Sequence, residues 1–167
     1  MLDIALKYKD SIEQAFINTW HQEKYKYYNY SSYCSKVELK DDTWNAHEFV
    51  SVNNQGNIIG FISYEINRCA NSVNGLGIIN FTDDKIIFGK DVFQAIKDVF
   101  EKYNFNKLSF CVVIGNPVEK TYDKLASKYG GRIVGIERQH TRLYDNKLYD
   151  VKRYEILRED YMKAKEK

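Results

Sequence analysis

Proline is nearly absent from this chain, with one in 167 residues, and glycine occurs only nine times. This composition argues against disorder and against Pro-rich or Gly-rich linkers. The three cysteines are odd in number and show no C-x-x-C spacing, which argues against a disulfide framework or a zinc site. No apolar run reaches the roughly 20 residues of a membrane span, and no basic leader segment is recognisable. We therefore expect a soluble, cytoplasmic protein without a bound metal.

The chain also lacks an excess of charge of one sign, because it has 25 Lys and Arg and 23 Asp and Glu, which gives a net charge of +2. Nucleic-acid binding usually needs a larger basic surface. Lysines and tyrosines do alternate over residues 24–28, which leaves single-strand binding as a weaker hypothesis. Hydrophobic residues make up 44% of the chain, enough for the core of one domain over residues 1–167.

The first half of the chain predicts a strand, a helix and then a meander of strands. Alternation over residues 2–8 predicts the strand, and Asp10 with Glu13 three residues later predicts a capped helix that runs to about Lys24. The next segment, residues 25–33, has five tyrosines in nine positions and no clear period. Strands are predicted over residues 47–52, 58–67 and 76–82, with turns at 53–57 and 71–75.

The second half predicts two helices that alternate with strands. Asn116, Pro117 and Glu119 have the spacing of a capped helix start, and a double glycine ends that helix. Residues 158–167 are charged and are expected to fray. Helices are predicted from near Gly89 to about Tyr103 and over 116–129, and strands over 108–114, 132–144 and 148–157.

This order of elements predicts a mixed α/β sheet, mostly antiparallel, with helices on both faces. The strands 76–82 and 108–114 are joined by a helix, so they form a βαβ crossover and should run parallel. Ligands of such sheets bind outside the carboxyl ends of adjacent parallel strands. Both following helices begin at that edge, so we expect the functional site there.

Several segments resemble the GNAT acyl-CoA N-acyltransferase superfamily, in particular its ribosomal-protein alanine acetyltransferase-like branch. They are Gly56–Ser63, Gly89–Phe100, Asn116–Val118, Gly130–Gly135 and the closing strand 148–157. The resemblance implies that fold, with acetyl-CoA as cosubstrate. It also implies direct transfer of the acetyl group, in a ternary complex, to a primary amine on a small molecule or a peptide N-terminus. Neither a nucleic acid nor a membrane is implied as a partner.

One segment departs from the family pattern. The family's phosphate loop is glycine-rich, whereas here the equivalent residues are Asp84-Lys-Ile-Ile-Phe-Gly89, of which only the last matches. Bulky Ile87 stands where a glycine would let the backbone approach a pyrophosphate. The alternative hypothesis is therefore a non-catalytic GNAT-like protein that binds CoA or another ligand.

The resemblance also implies roles for individual residues. Tyr122 matches the tyrosine that protonates the leaving thiolate, although it is equally compatible with a core position, and Tyr129 lies farther along the same helix face. Glu65 is the candidate general base, with a solvated strand carboxylate as the other interpretation. The cofactor-binding candidates are Phe81, Thr82, Phe88, Gly89, Lys90, Asp91 and Asn116, with a backbone N–H of residues 80–82 facing the developing oxyanion.

The tyrosine-rich segment 25–33 falls where the family places its acceptor-binding loop. Its rings and hydroxyl groups could form the floor of an amine or peptide site. Packing against the sheet edge is an equal alternative. A homodimer through this segment or through the terminal hairpin is also expected.

Overall fold

The computed structural model of the chain describes residues 1–28 and 38–166. The strands in this part are β1 (Leu2–Ile4), β2 (Ala46–Val52), β3 (Ile58–Asn67), β4 (Ser72–Asn80), β5 (Lys107–Val113), β6 (Arg132–Arg142) and β7 (Leu148–Leu157). The α-helices are α1 (Lys9–Ile17), α2 (Lys85–Glu101), α3 (Glu119–Lys128) and α4 (Arg158–Lys165), and short 3-10 helices cover Ala5–Tyr8 and Glu23–Tyr25.

All seven strands form one sheet in the order β1-β2-β3-β4-β5-β7-β6. Every neighbouring pair is antiparallel except β4 and β5, which are parallel and joined through α2. One face of the sheet packs on α1, through Ile12 and Phe16. The other face packs on the three remaining helices. The predicted mixed sheet, with a parallel crossover and helices on both faces, is confirmed.

Two predictions near the start of the chain are wrong. The first strand stops at Ile4, where a 3-10 helix begins. The helix that follows starts at Lys9 without a side-chain cap, so Asp10 lies inside its first turn. It ends at Ile17 rather than near Lys24, and the Thr19 hydroxyl donates to the Phe16 carbonyl just beyond that end.

The predicted hairpins and β5 are confirmed, but the starts of three elements shift and the tail is helical. β4 begins at Ser72, inside the predicted turn at 71–75, and α2 begins at Lys85 rather than near Gly89. The helical hydrogen bonds of α3 begin at Glu119, just after the Asn-Pro turn. The tail forms α4 instead of fraying, because Tyr161 is buried and its ring stacks on Phe100 with centroids 4.6 Å apart.

No helix in the described residues is long and apolar enough to cross a membrane. The same residues contain no group of three or more His, Cys, Asp or Glu side chains placed to hold a metal ion.

Candidate active site

The parallel strands β4 and β5 separate shortly after they meet. They pair only at Ser72 with Lys107 and at Val73 with Leu108. Two residues later β4 reaches Gly75, whose φ of +65° is in the left-handed region that suits glycine. The separation leaves a gap that widens towards the carboxyl ends of both strands.

A β-bulge at Gly75 accounts for the separation. Ser63 of β3 faces Gly77, whereas Glu65 faces Asn74, so β4 has one residue more than β3 between these pairs. An extra residue of this kind bends its strand and increases the local twist. The bend directs the rest of β4 away from β5 while its pairing with β3 continues.

The bulge leaves backbone groups of β4 directed into the gap. The Phe81 N–H donates to the Ile59 carbonyl at 2.8 Å, so this part of β4 uses alternate residues to bond to β3. Because neighbouring residues point the opposite way, the N–H and C=O groups of Ile78 and Asn80 face β5. The Thr82 N–H is bonded to the Asn80 side chain at 2.9 Å. Among the backbone N–H groups of residues 80–82, which were considered for stabilising the oxyanion, that of Asn80 faces the gap.

The start of α2 is capped by the chain's own carboxylate. The Asp84 side chain accepts from the Ile86 and Ile87 N–H groups at 3.1 and 2.9 Å. These are the free donors that would attract a phosphate at a helix N-terminus. A phosphate approaching this point would meet a negative charge that already uses those donors.

The four cofactor-binding candidates on α2, residues 88–91, are divided between two sides of the helix. Gly89 and Lys90 lie in the second turn, with Lys90 exposed. Phe88 is buried, and its ring lies so close to Gly60 of β3 that a side chain at residue 60 would clash with it. Asp91 accepts from the Ser51 hydroxyl at 2.6 Å and pairs with the N-terminal amine at 3.0 Å. Phe88 and Asp91 therefore face the sheet.

The turn before α3 is held by polar bonds at the other rim of the gap. The Asn116 side chain accepts from the Val118 N–H at 3.1 Å, and Glu119 accepts from the Gly115 N–H at 3.1 Å. Glu119 also pairs with Lys152 of β7 at 2.5 Å. Asn116 therefore stabilises the Asn-Pro turn and does not cap α3 as predicted, because the N-cap of that helix is Val118, which forms no side-chain cap bond. The Asn116 side chain stands at the carboxyl end of β5.

Tyr122 lies on the buried face of α3. Its ring makes edge contacts with Phe110 and Tyr154, at centroid distances of 5.4 and 6.3 Å. Burial raises the pKa of its hydroxyl well above the usual value, so the group stays protonated at neutral pH. Within the described residues we find no hydrogen-bond partner for this hydroxyl, which is thus available to donate.

The two carboxylates on β2 and β3 differ in their relation to the gap. Glu65 is exposed and level with Asn74, before the bulge. Glu48, which the sequence analysis did not select, is half-buried and faces Ser63, which in turn faces Gly77 beside the gap. Burial raises the pKa of Glu48, while the Lys40 N–H, which donates to it at 2.8 Å, has the opposite effect. Alternation along β2 was the signal that could have identified this residue.

The segment of residues 23–28, here called the bridging segment, reaches the β4 side of the gap. Lys24 pairs with Asp83 at 3.0 Å, and the Tyr25 hydroxyl donates to the Phe81 carbonyl at 3.2 Å. The Tyr28 hydroxyl lies 3.5 Å from the position that a Cβ on Gly77 would occupy.

The same segment reaches the β5 side as well. The Tyr27 hydroxyl lies 3.5 Å from the Cβ position of Gly115, and its ring makes an edge contact with Tyr149 of β7 at 6.3 Å. The Tyr144 hydroxyl of the terminal hairpin donates to Glu23. Described residues 25–28 of the predicted acceptor segment therefore span the gap, whereas 29–33 lie outside the described residues.

Comparisons with known proteins identify the fold. No protein-family profile and no curated protein sequence matches the chain. The spermidine N-acetyltransferase of Vibrio cholerae, in complex with CoA and spermine, is similar over 97% of both chains, with a TM-score of 0.74 and 20% identity. A probable acetyltransferase is similar over 95% of this chain and 93% of its own, with a TM-score of 0.69 and 16% identity.

A mutant form of the spermidine/spermine N-acetyltransferase of Vibrio cholerae is similar over 74% of this chain and 72% of its own. The TM-score is 0.61 and the identity 25%. These similarities show an acyl-CoA N-acyltransferase fold. They do not support the ribosomal-protein alanine branch suggested by the sequence.

Proposed function

We propose that this chain, which has the acyl-CoA N-acyltransferase fold, transfers an acetyl group from acetyl-CoA to a primary amine by direct attack in a ternary complex. The gap between β4 and β5 is the observation that carries the proposal. It is open at the carboxyl ends of two parallel strands, and free backbone groups of β4 line it. A bound pantetheine arm could complete the hydrogen bonds that β4 and β5 do not make with each other.

The residues that would hold acetyl-CoA lie around this opening. Ile78 and Asn80 offer backbone groups, with Phe81 and Thr82 at the end of β4, and the Asn116 side chain stands opposite. Gly89 and Lys90, near the start of α2, are the candidates for the phosphate end, and Lys90 is exposed. Phe88 and Asp91 would support that helix from the sheet side.

Glu48 is our preferred general base. Neighbouring residues on adjacent strands have Cα atoms about 5 Å apart, so Glu48 lies roughly 10 Å from Gly77, with Ser63 between them. A proton from the attacking amine would reach the carboxylate through the Ser63 hydroxyl or a water molecule. Only the ionised carboxylate can accept it, so the rate should fall with falling pH through a pKa that burial has raised.

Tyr122 is the proposed acid. It would donate its proton to the thiolate of CoA as the thioester breaks, and its raised pKa keeps that proton available at neutral pH. Recovery of the proton from solvent would complete the cycle.

Release of free CoA thiol in the presence of an amine tests the function directly. Spermidine and spermine are the first acceptors to try, since the structural neighbours include spermidine acetyltransferases, followed by amino-terminal peptides and other small amines. Acetyl-CoA at a hundred times its Kd should also stabilise the protein by about 2.7 kcal/mol in thermal unfolding. Absence of both effects at millimolar acetyl-CoA would refute the proposal.

Glu48→Gln and Glu65→Gln form a matched pair that tests the base. Loss of a general base lowers the rate by roughly 10²-fold or more, so Glu48→Gln should be slow and should lose the acidic limb of the pH profile. Glu65→Gln should behave like the unmodified protein. The reverse result would assign the base to Glu65.

A non-catalytic CoA-binding or ligand-binding protein is the second candidate function. The capping of α2 by Asp84 favours it, because that carboxylate occupies the donors a pyrophosphate would use. This function predicts a thermal shift with acetyl-CoA but no thiol release with any amine.

The homodimer stays a prediction. β6 is an edge strand on which Ile133, Val134 and Ile136 are each more than half exposed, which favours association along it. Light scattering on the protein in solution would measure its mass.

A further inference from the structure

We propose that a groove between α2 and the ends of α3 and α4 binds the adenosine phosphate group of a nucleotide. This groove, here called the aromatic groove, has a volume of about 300 Å³. That value is at the lower limit for small-molecule sites and suits a base and its sugar. The lining residues are Lys90, Phe93, Gln94, Ile96, Lys97, Tyr129 and Tyr161.

Aromatic rings form the wall on which a base could stack. Phe93 is 45% exposed, which is unusual for a large apolar side chain on a helix that packs against a sheet. The ring centroids of Phe93 and Tyr129 are 6.4 Å apart, and those of Tyr129 and Tyr161 are 4.9 Å apart. Tyr161 in turn stacks on Phe100 of the core, so this wall is anchored.

Positive charge surrounds the rings. The Lys128 ammonium group lies 5.3 Å from the Phe93 ring centre and 5.2 Å from that of Tyr129. Neither Lys128 nor Lys90 forms an ion pair with a carboxylate in the described part of the chain. Lys97 is 4.0 Å from Glu101, which also accepts from Lys165 and Tyr161 at 2.8 and 2.7 Å.

No Asp or Glu is among the described residues that line the groove. The exposed ring of Phe93 and the half-buried ring of Tyr129, next to ammonium groups without an ion pair, favour a flat ligand that carries negative charge. Gln94 could recognise the edge of the base. Its amide nitrogen donates to Asp98 at 2.6 Å, which leaves the amide oxygen to accept from the exocyclic amino group of adenine.

Two kinds of molecule could bring an adenosine phosphate group to the groove, CoA and a free nucleotide. Lys90 lies about 8 Å along the helix axis from Lys85, the first residue of α2, so the adenosine end of CoA could reach the groove from a phosphate site at that start. A free nucleotide such as ADP could also occupy it alone. The second source makes the groove a regulatory site that does not depend on acetyl transfer.

Calorimetric titration distinguishes these sources. ADP, acetyl-CoA and S-acetylpantetheine, which lacks the nucleotide, are titrated into the protein and into Phe93→Ala, Lys128→Ala and Lys124→Ala. Lys124 is exposed on α3 one turn before Lys128 and does not line the groove, so it is the control. Thermal unfolding of each variant checks that it folds.

Phe93→Ala loses one base-stacking contact and should bind the nucleotide about tenfold more weakly. Lys128→Ala should also bind more weakly, and the affinity of Lys124→Ala should not change. If ADP binding follows this pattern, the groove binds a free nucleotide. The same pattern for acetyl-CoA alone, with S-acetylpantetheine unaffected, supports the CoA source. Equal binding by all variants, or no binding of either nucleotide, overturns the proposal, and neither outcome depends on whether an amine is acetylated.

Discussion

The two ends of the β4–β5 pair behave differently, although the same strands form both. At the closed end the ladder is complete and continues outward, with the Asn106 N–H donating to the Asn71 carbonyl at 2.7 Å. Val73 and Leu108 are fully buried there. At the open end, beyond Gly75, the strands share no bond, and the Asp84 side chain caps the helix that follows β4. The closed end fixes the positions of the strands, and this leaves the open end free to bind a ligand.

Leu108→Ala should have the largest effect, since it removes the anchor of the closed end. Leu108 has no exposed surface, and truncation of such a core residue costs about 3 kcal/mol in free energy of unfolding. Urea titration measures it. Cys111→Ala, at an exposed position on the same strand, is the control. Equal costs for the two variants would show that the closed end does not anchor the sheet.

Tyr122→Phe tests the open end without changing its shape. We expect thiol release to slow by roughly 10²-fold, as for the loss of a general acid, while the thermal shift with acetyl-CoA stays the same. Tyr129→Phe, just beyond the end of α3, keeps the ring that lines the aromatic groove and should react at the normal rate. An unchanged rate for Tyr122→Phe would leave this residue with a packing role only.

Gly75→Val tests the boundary between the two ends. A left-handed conformation costs most residues about 1–2 kcal/mol. Among the described residues, none except the chain neighbours of Gly75 comes within 4 Å of the added Cβ, so the cost comes from the backbone. Gly75→Asn should be milder, because asparagine tolerates that conformation better. Chemical denaturation compares the two variants, and equal stability would mean that the bulge does not require glycine.

Asp84→Asn should have the smallest effect. Unlike the other three variants, it should improve a property of the protein, its affinity for acetyl-CoA. Asparagine caps a helix as well as aspartate does, so the free energy of unfolding should hardly change. Removal of the charge should tighten acetyl-CoA binding about two- to fivefold, which corresponds to the usual effect of one charge at a helix end. Calorimetry measures this gain. Asp83→Asn, which does not cap α2, should show less of it, and a loss of affinity in Asp84→Asn would contradict our view of this helix start.

Sequence patterns predicted most elements but placed several functional positions incorrectly or not at all. Gly75 was interpreted as part of a turn, because a left-handed glycine inside a strand has the same local signal as one between strands. The start of α2 was placed near Gly89 because the apolar helical period begins at Val92, although Asp84 is the helix cap. Glu65 was chosen from its place in β3, but alternation along one strand cannot show where along the sheet the strands diverge.

Local sequence patterns also failed to predict the C-terminal helix α4. Its charge predicted fraying, yet Tyr161 is buried against Phe100, which precedes it by about 60 residues. Local composition contains no information about such a distant partner, and tertiary packing overrides a weak helix preference.

The sequence by itself determined the mixed sheet, the parallel crossover and most of the strands. These features follow from the periods of apolar residues and from local caps, which act over a few residues. Only the tertiary structure decided that a bulge opens the sheet, that Glu48 shares a row with Ser63 and Gly77, and that residues 25–28 span the gap. Each of these depends on strand register and on contacts between distant residues, which neither hydrophobic periodicity nor a local motif encodes.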